Sequence, residues 1–491
     1  MTHRNEANEN PWYVLMTLFG EQNENHVDLE LHKKNRQVWN SWAGSRLSPE
    51  EQEEYTAFSQ IDIAELKDWS ARSVEIQRLH KRAMKNRNNS HFVYPGFPNP
   101  NSNVDLSETE FFKLVVLDEL VFPQLGNFNS SVFNHSVLGS KSFYFQGMSF
   151  VRARFLKLAQ FTHVCVKRDA DFRDATFDAL THFDGSHIRR ARFSRAIFGQ
   201  VAKIDKSVFL GPSSFDQAKF LNDVVFEDSV FEDANFQKAE FSKTVSFNRV
   251  SFQGNAKFSS SVFNGFTYFV GASFETVRNR TCISPNFSEC QFEKPTDFRK
   301  AIFKDFYPVF TGATLHEKTS FTANPENWPS SLDSNLDEAR ENCEIIRHLL
   351  SGQGLHEQAH FFYRREMEFA GRIGNFWQKL PYKIFRILSD YGYSIALPLK
   401  FLAIVLIAPL GAYTAILEGP DEGFSFINFF KAIGFSFSNT FKFFGLQKVY
   451  FSELLDQLDM VLSFVTGAQT VSGFVLVFFL GLGLRTRFRL R

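Results

Sequence analysis

From Phe145 to Phe274 a large apolar residue returns at every fifth or sixth position: Phe150, Phe155, Phe161, Val166, Phe172, Phe177, and so on through Phe226, Phe231, Phe236 and Phe241. Neither regular element asks for this spacing, because a helix repeats every 3.6 residues and a strand every two. Two positions before each large residue stands a small or β-branched one, as in Ala218, Val224, Ser229, Ala234, Ala239 and Val245. The intervening positions, such as Asp216, Gln217, Glu227, Asp228 and Lys238, are mostly polar. Each five-residue unit therefore offers one large and one small inward group. The register is lost across residues 275–286, resumes at Phe287, Phe292, Phe298 and Phe303, and ends loosely through Phe310, Leu315 and Phe321.

A chain that turns a corner after each short extended piece needs this pattern. Four sides of five residues make a coil of about twenty residues around a narrow square interior, with coils stacked at the inter-strand spacing of about 4.8 Å. Residues 130–321 then give roughly nine or ten coils and a rod on the order of 45 Å long. No coil buries its core alone, so stability comes from stacking neighbours. Phenylalanine accounts for 61 of the 491 residues, and this interior is what uses them.

The tandem units seen in "DANFQ", "KAEFS", "QAKFL" and "NAKFS" resemble pentapeptide-repeat proteins, and the alternation of five- and six-residue steps resembles the Phe-rich variant found in bacterial membrane-linked members. The resemblance implies a mainly β protein, a right-handed quadrilateral β-helix with the phenylalanine and the small residue pointing inward. We place that domain at residues 104–325. Before it, residues 1–90 read as a small helical region. It has a helix ending at Gly44 and a second opened by a capping box at Ser48, Pro49 and Glu51; a further basic helix spans Ile63–Arg87. Residues 91–103, rich in Asn, Pro and Gly, read as a linker.

Beyond the repeats, residues 330–390 read as a juxtamembrane helical hairpin and 391–491 as a two-span membrane region with two transmembrane helices. Residues 394–417 are apolar apart from Lys400, and residues 460–484 carry no charge; crossing a hydrocarbon layer takes about 20 residues. Arg372, Lys379, Lys383 and Arg386 precede the first run, Arg485, Arg487, Arg489 and Arg491 follow the second, and the link between begins with the acidic "EGPDEG". The positive-inside rule then sets both termini in the cytoplasm; the resemblance implies a bacterial inner membrane. The aromatic stretch 424–445, which carries Lys431 and Lys442, is too charged for a third span and reads as an interfacial helix or a re-entrant segment. Span, half-buried loop, span is the plan of two-helix ion channels, and "FFLGLGLRTRFRLR" also resembles the channel-like end of bacterial pentapeptide-repeat proteins. No potassium-filter sequence is present; "SNTFKFFG" stands in its place.

Candidate chemistry is sparse. His356, Glu357 and His360 match H-E-x-x-H, a zinc-protease motif when a third ligand and a cleft accompany it. The competing reading is a helical hairpin joining repeats to membrane, with Leu355, Ala359, Phe362 and Met367 packing inside it. Cys282 and Cys290 lie where the repeat is interrupted and could meet His163 or His316 at a metal, but no ligand spacing supports that. Four cysteines, Cys165 and Cys343 being the other two, are too few and too scattered for a disulfide framework and fit a reduced setting. The N-terminal apolar stretch "PWYVLMTLFG" lacks a cleavage-site pattern, so no signal peptide is expected. Basic and acidic residues balance at 54 each, which gives no reason to expect nucleic acid. Residues 145–321 carry 24 Lys or Arg against 19 Asp or Glu, a net charge of +5, the wrong sign for mimicry of DNA by an acidic rod. Arg189, Arg190, Arg192 and Arg195 form a basic patch that either meets anionic lipid or is a solvated face. The expected protein is non-enzymatic, with no catalytic, cofactor or metal site. Its partners are the lipid bilayer, a protein bound on the β-helix surface and, in the channel alternative, further copies of the chain.

Overall fold

The computed structural model describes residues 4–23, 26–88, 93–275, 284–329, 335–418, 425–456 and 458–488. It forms two compact units, residues 1–359 and 360–491, with the boundary inside one helix.

The first unit is built on a parallel β-solenoid. Two-residue strands recur every five or six positions, and each pairs with the strand one coil later: Phe155 with Phe177, Phe177 with Phe198, Phe198 with Phe220. The coil is thus 21 or 22 residues long, and the strands line up into ladders of ten, thirteen and ten. Four columns of inward side chains run through it, mostly rings, with Val166, Ile188 and Ile204 filling gaps in two of them. One contains Phe128, Phe150, Phe172, Phe193, Phe215, Phe236 and Phe258, with centroids 4.5–5.1 Å apart and planes within 7° of parallel. That spacing is the strand separation itself, so ladder hydrogen bonds and ring stacking ask for the same rise. The small positions are buried as well, among them Ala218, Ser229, Ala239 and Val245 at 0 % exposure.

Between faces the chain turns sharply, and alternate corners hold a residue in the left-handed region: Asp228 (φ 57°), Lys238 (55°), Arg249 (55°) and Ser260 (59°), with Gly185 and Gly271 (both 69°) at equivalent places. The strain of an L-residue there, about 1–2 kcal/mol each, is offset by coil-to-coil bonds such as Asp228 N–H to Asn248 O (3.1 Å) and Lys238 N–H to Ser259 O (3.0 Å). The columns also continue past the interrupted segment. Phe263 pairs with Phe292, 29 residues on, and Phe258 stacks on Phe287 at 4.9 Å. Residues 276–283, which contain Cys282, lie outside the described residues.

One register expectation is corrected. Tyr144, not Phe145, holds the inward position: it stacks on Phe122 at 4.4 Å and pairs with Val166. Neighbouring strand residues face opposite ways, so Phe143 and Phe145 lie together on the other side, 4.6 Å apart, where Phe143 meets Tyr55 and Phe58. A spacing rule that accepts five or six cannot choose between adjacent aromatics.

Helices close both ends of the solenoid. α1 (Pro11–Met16), α2 (Leu29–Gly44), α3 (Pro49–Ser59), α4 (Ala64–Lys67) and α5 (Trp69–Arg87) precede it. α3 opens with the capping box of Ser48 and Glu51, both reciprocal bonds being present. The basic stretch is two helices, broken at Asp68. α2 covers the first coils: Trp39 sits 5.2 Å from Phe122 and donates to Val121 O (2.8 Å), while Asn40 bridges Glu119 O and Val121 N–H. Asn5–Glu6 adds a parallel strand beside Thr109–Glu110, so the ladder does not end in a bare edge. At the far end α6 (Leu336–Gly352) caps the last coil, with Asn342 accepting from Phe310 N–H (2.6 Å) and Trp328 stacked on Phe303 (5.1 Å).

The second unit is helical. α7 (His356–Ala370) carries the boundary, followed by α8 (Phe376–Ser389), α9 (Ala396–Ile407), α10 (Leu410–Glu418), α11 (Phe426–Thr440), the short α12 (Leu446–Tyr450) and α13 (Ser452–Asp456), and α14 (Met460–Phe488). Among the described residues two apolar helical runs are long enough to cross a membrane, α9–α10 (Ala396–Glu418) and α14 (Met460–Phe488). Their side chains are mostly uncovered, with Ile407, Phe464, Val471 and Phe478 all more than half exposed.

Candidate functional site

The solenoid surface carries ion pairs, most of them between coils, beside lysines and arginines that make none among the described residues. Of the four arginines in the basic patch, Arg190 pairs with Asp169 (2.6 Å), Arg192 with Asp169 and Asp171 (3.1 and 3.6 Å) and Arg195 with Asp174 (2.6 Å). The hydrogen bond from Arg195 holds the Asp174 carboxyl below its usual range. Such exposed pairs add little to stability; their effect is to hold side chains in fixed positions on a fixed backbone. Arg189 instead lines a groove of about 430 Å³ with Glu54, Phe58, Cys165, Lys167 and Leu210. Lys167 pairs with Glu54 across it, and burial pushes the Cys165 thiol up to about 11. A thiol so protonated is a poor nucleophile.

The metal candidates do not converge. Cys290 is buried, donates to Phe258 O (2.9 Å) and is pushed up to about 12 by burial; Cys343 is buried. His163 occupies an exposed left-handed corner, and the His316 ring accepts from Lys318 N–H (3.0 Å). On α7, His356 and Glu357 are exposed. His360 is half-buried with its ring 4.7 Å from Tyr393, and burial, helped by Arg364, lowers it to about 4. Among the described residues no three His, Cys, Asp or Glu side chains are grouped to hold a metal.

The most developed polar arrangement lies in the second unit, where sequence reasoning placed no site residue. α11 packs between α10 and α14, and its C-terminal end comes to rest halfway along both long helices. There Ser436, Ser438, Asn439 and Thr440 are buried. Gln469 of α14 is the hub: its amide donates to Ser436 Oγ (2.6 Å), Thr440 Oγ1 (3.0 Å) and Val405 O (3.2 Å), and its carbonyl accepts from Tyr413 O–H (2.9 Å). Gln447 donates to Asn439 Oδ1 (2.6 Å), tying the returning segment to the same cluster. Gly473 permits this approach, since a Cβ there would stand 2.2 Å from Thr440 O. The clue in the sequence was a single glutamine in an uncharged apolar run. Its partners could not be read, because they lie 29–64 residues away. Residues 419–424, which include most of "EGPDEG" and the first residue of the 424–445 stretch, lie outside the described residues, as do Arg489 and Arg491.

Compared with known protein families, residues 204–251 match the family described as pentapeptide repeats (9 copies). With the stacked phenylalanine columns and the parallel coils, that match defines the class: the chain carries a Phe-rich pentapeptide-repeat β-helix, followed by two apolar helices long enough to cross a membrane. No curated protein and no solved structure matches the chain.

Proposed function

We propose that this protein is a non-enzymatic scaffold of a bacterial inner membrane, anchored by α9–α10 and α14 with both termini in the cytoplasm, whose β-helix presents a rigid surface to a protein partner. One observation carries the reading. The solenoid interior is filled from end to end by stacked side chains, while its exterior is charged, part of it held in inter-coil ion pairs and part, such as Arg189, Lys203 and Lys238, left outside any among the described residues. A body of this kind has surface to offer and little internal space for substrate. Basic residues flank both apolar helices, consistent with cytoplasmic ends. The test is affinity capture of the full-length protein from membranes, comparing wild type with charge-reversal variants on exposed faces. A captured partner lost with one face supports the scaffold; identical capture by all variants refutes it.

A second reading has its own observation. α11 descends between two long helices and stops midway in a buried polar cluster, the geometry of a re-entrant loop. That favours an oligomeric pore regulated by the β-helix, because two spans per copy need several copies to enclose a path. Ion flux into liposomes and the oligomeric state of detergent-purified protein separate the two: a flux-competent oligomer supports the pore, and a silent monomer supports the anchor. Zinc proteolysis through His356, Glu357 and His360 gains no support from side chains that leave His356 exposed and His360 against an aromatic ring.

A further inference from the structure

α8 turns only one side toward protein within its unit. Phe385 lies 5.6 Å from Phe479 of α14 and 5.7 Å from Tyr391, and Ser389 is buried. Elsewhere on the helix Phe376, Trp377, Ile384 and Ile387 are 63, 76, 44 and 57 % exposed. At helical spacing these four fall within an arc of about 100°, and Lys379, Lys383 and Arg386 fall together on its flank. Arg386 reaches Glu368 (3.3 Å), whereas Lys379 and Lys383 make no ion pair among the described residues. The ends of α8 are fixed. Asn375 and Gln378 form a capping box at the start. Left-handed Asp390 and Tyr391 and then Gly392 (φ 77°) stop the helix and turn the chain into α9.

A two-ring, two-aliphatic face beside unpaired lysines, attached by a short fixed turn to the base of an apolar helix, has one occupant that satisfies all its parts. We propose that α8 is an in-plane interfacial helix that docks on an anionic lipid surface. Its rings enter the boundary between headgroups and acyl chains, and Lys379 and Lys383 meet lipid phosphates. Continuity supports this choice: Phe385 joins α8 to α14 next to Phe478, whose 66 % exposed ring belongs to the apolar surface of the span. The inference rests on the reading that α9–α10 and α14 cross a bilayer. Beyond that reading, it sets α8 in the cytoplasmic leaflet and gives the protein a preference for anionic lipid.

Trp377 is the natural reporter, being the one tryptophan beyond residue 328 among the six in the chain. The full-length protein is reconstituted into phosphatidylcholine vesicles with and without phosphatidylglycerol, alongside Trp377→Phe and the double variant Lys379→Glu/Lys383→Glu. Lipids brominated near the headgroup should quench a component of wild-type fluorescence that Trp377→Phe lacks, and iodide should not reach it. The double variant should lose that quenching in phosphatidylglycerol vesicles. Equal bromolipid quenching of wild type and Trp377→Phe, or iodide access to Trp377 in vesicles, overturns the interfacial helix. Indifference to phosphatidylglycerol and to the two lysines overturns the anionic-lipid docking. Protein that fails to float with vesicles after alkaline extraction strikes instead at the membrane-spanning reading.

Discussion

Phe236→Ala tests the stacked interior most directly. The ring lies between Phe215 (4.8 Å) and Phe258 (5.1 Å) in its own column and is met edge-on by Phe226 (5.4 Å) and Phe247 (5.4 Å). It is 0 % exposed. Replacing a buried phenylalanine by alanine costs about 3–5 kcal/mol, the spread reflecting how far the site can collapse. Here collapse is opposed by the backbone: Phe236 N–H donates to Lys257 O (2.7 Å), and Phe215 N–H to Asn235 O (2.6 Å), so the coils above and below are pinned at the strand spacing. The cost should therefore fall near the upper figure, about 4–5 kcal/mol. Lys238, two residues on, points to solvent at a left-handed corner. Lys238→Ala keeps that strain and should change stability by less than about 0.5 kcal/mol. Because each coil contacts only its neighbours, the damage should be local. Hydrogen exchange on the full-length protein should show protection lost over the coils from Lys219 to Phe263 in Phe236→Ala and retained in Lys238→Ala. Equal exchange in the two variants would mean that the ring does not hold the coils together.

Ser229, buried in the small position of its unit, accepts from Ser207 N–H (3.0 Å) and donates to Ile204 O (2.7 Å); Ser229→Ala should cost about 1–2 kcal/mol, read as a lower thermal midpoint, while an unchanged midpoint would leave the inter-coil bond without energetic weight. Acid sensitivity at the N-terminal cap should depend on two groups of opposite sign. Burial, then Arg36, lowers His32 from 6.5 to about 4, so its contribution is complete above pH 6.5 and lost as pH falls to about 4, about 3 kcal/mol in all. Burial raises the Asp118 carboxyl from 3.8 to about 6, so its contribution is complete below pH 3.8 and lost as pH rises through 6. Unfolding between pH 4 and 7 should thus show His32→Gln selectively stabilised toward acid and Asp118→Asn selectively stabilised toward neutral pH; matching pH profiles for the two would contradict the assignment. In the second unit Gln469→Leu strips Ser436, Thr440 and Tyr413 of a shared partner and should cost about 1–3 kcal/mol, measured as thermal stability in detergent, with Gly473→Val at least as disruptive through its clash with Thr440 O. If both variants keep wild-type stability, α11 is not held by this cluster.

The repeat was legible because it is a local pattern written many times over. A step of five or six with a small residue two places before a large one is incompatible with helix or strand, and the inward positions of Phe150, Ala218 and Phe236 follow without any partner being known. Where one position carried two answers, the pattern failed. Tyr144 and Phe145 both fit the spacing, and the choice was made by the column above Phe122 and by α3 covering the opposite side. The Ser48 capping box was legible for a related reason, since its partners are three residues apart. Apolar length likewise marked Ala396–Glu418 and Met460–Phe488, and the C-terminal helices were foreseen as elements though not as an arrangement.

What the order of amino acids determined by itself is the coil, because side-chain size repeated at a fixed step decides which way each residue must face. What only the tertiary structure decided is how the ends are closed and what the polar groups of the C-terminal helices meet. Asn40 on Val121, Asn342 on Phe310 and Gln469 on Ser436 each join residues about 30 to 80 apart. A hydrogen bond constrains distance in space, not spacing along the chain, so such pairs leave no period to read.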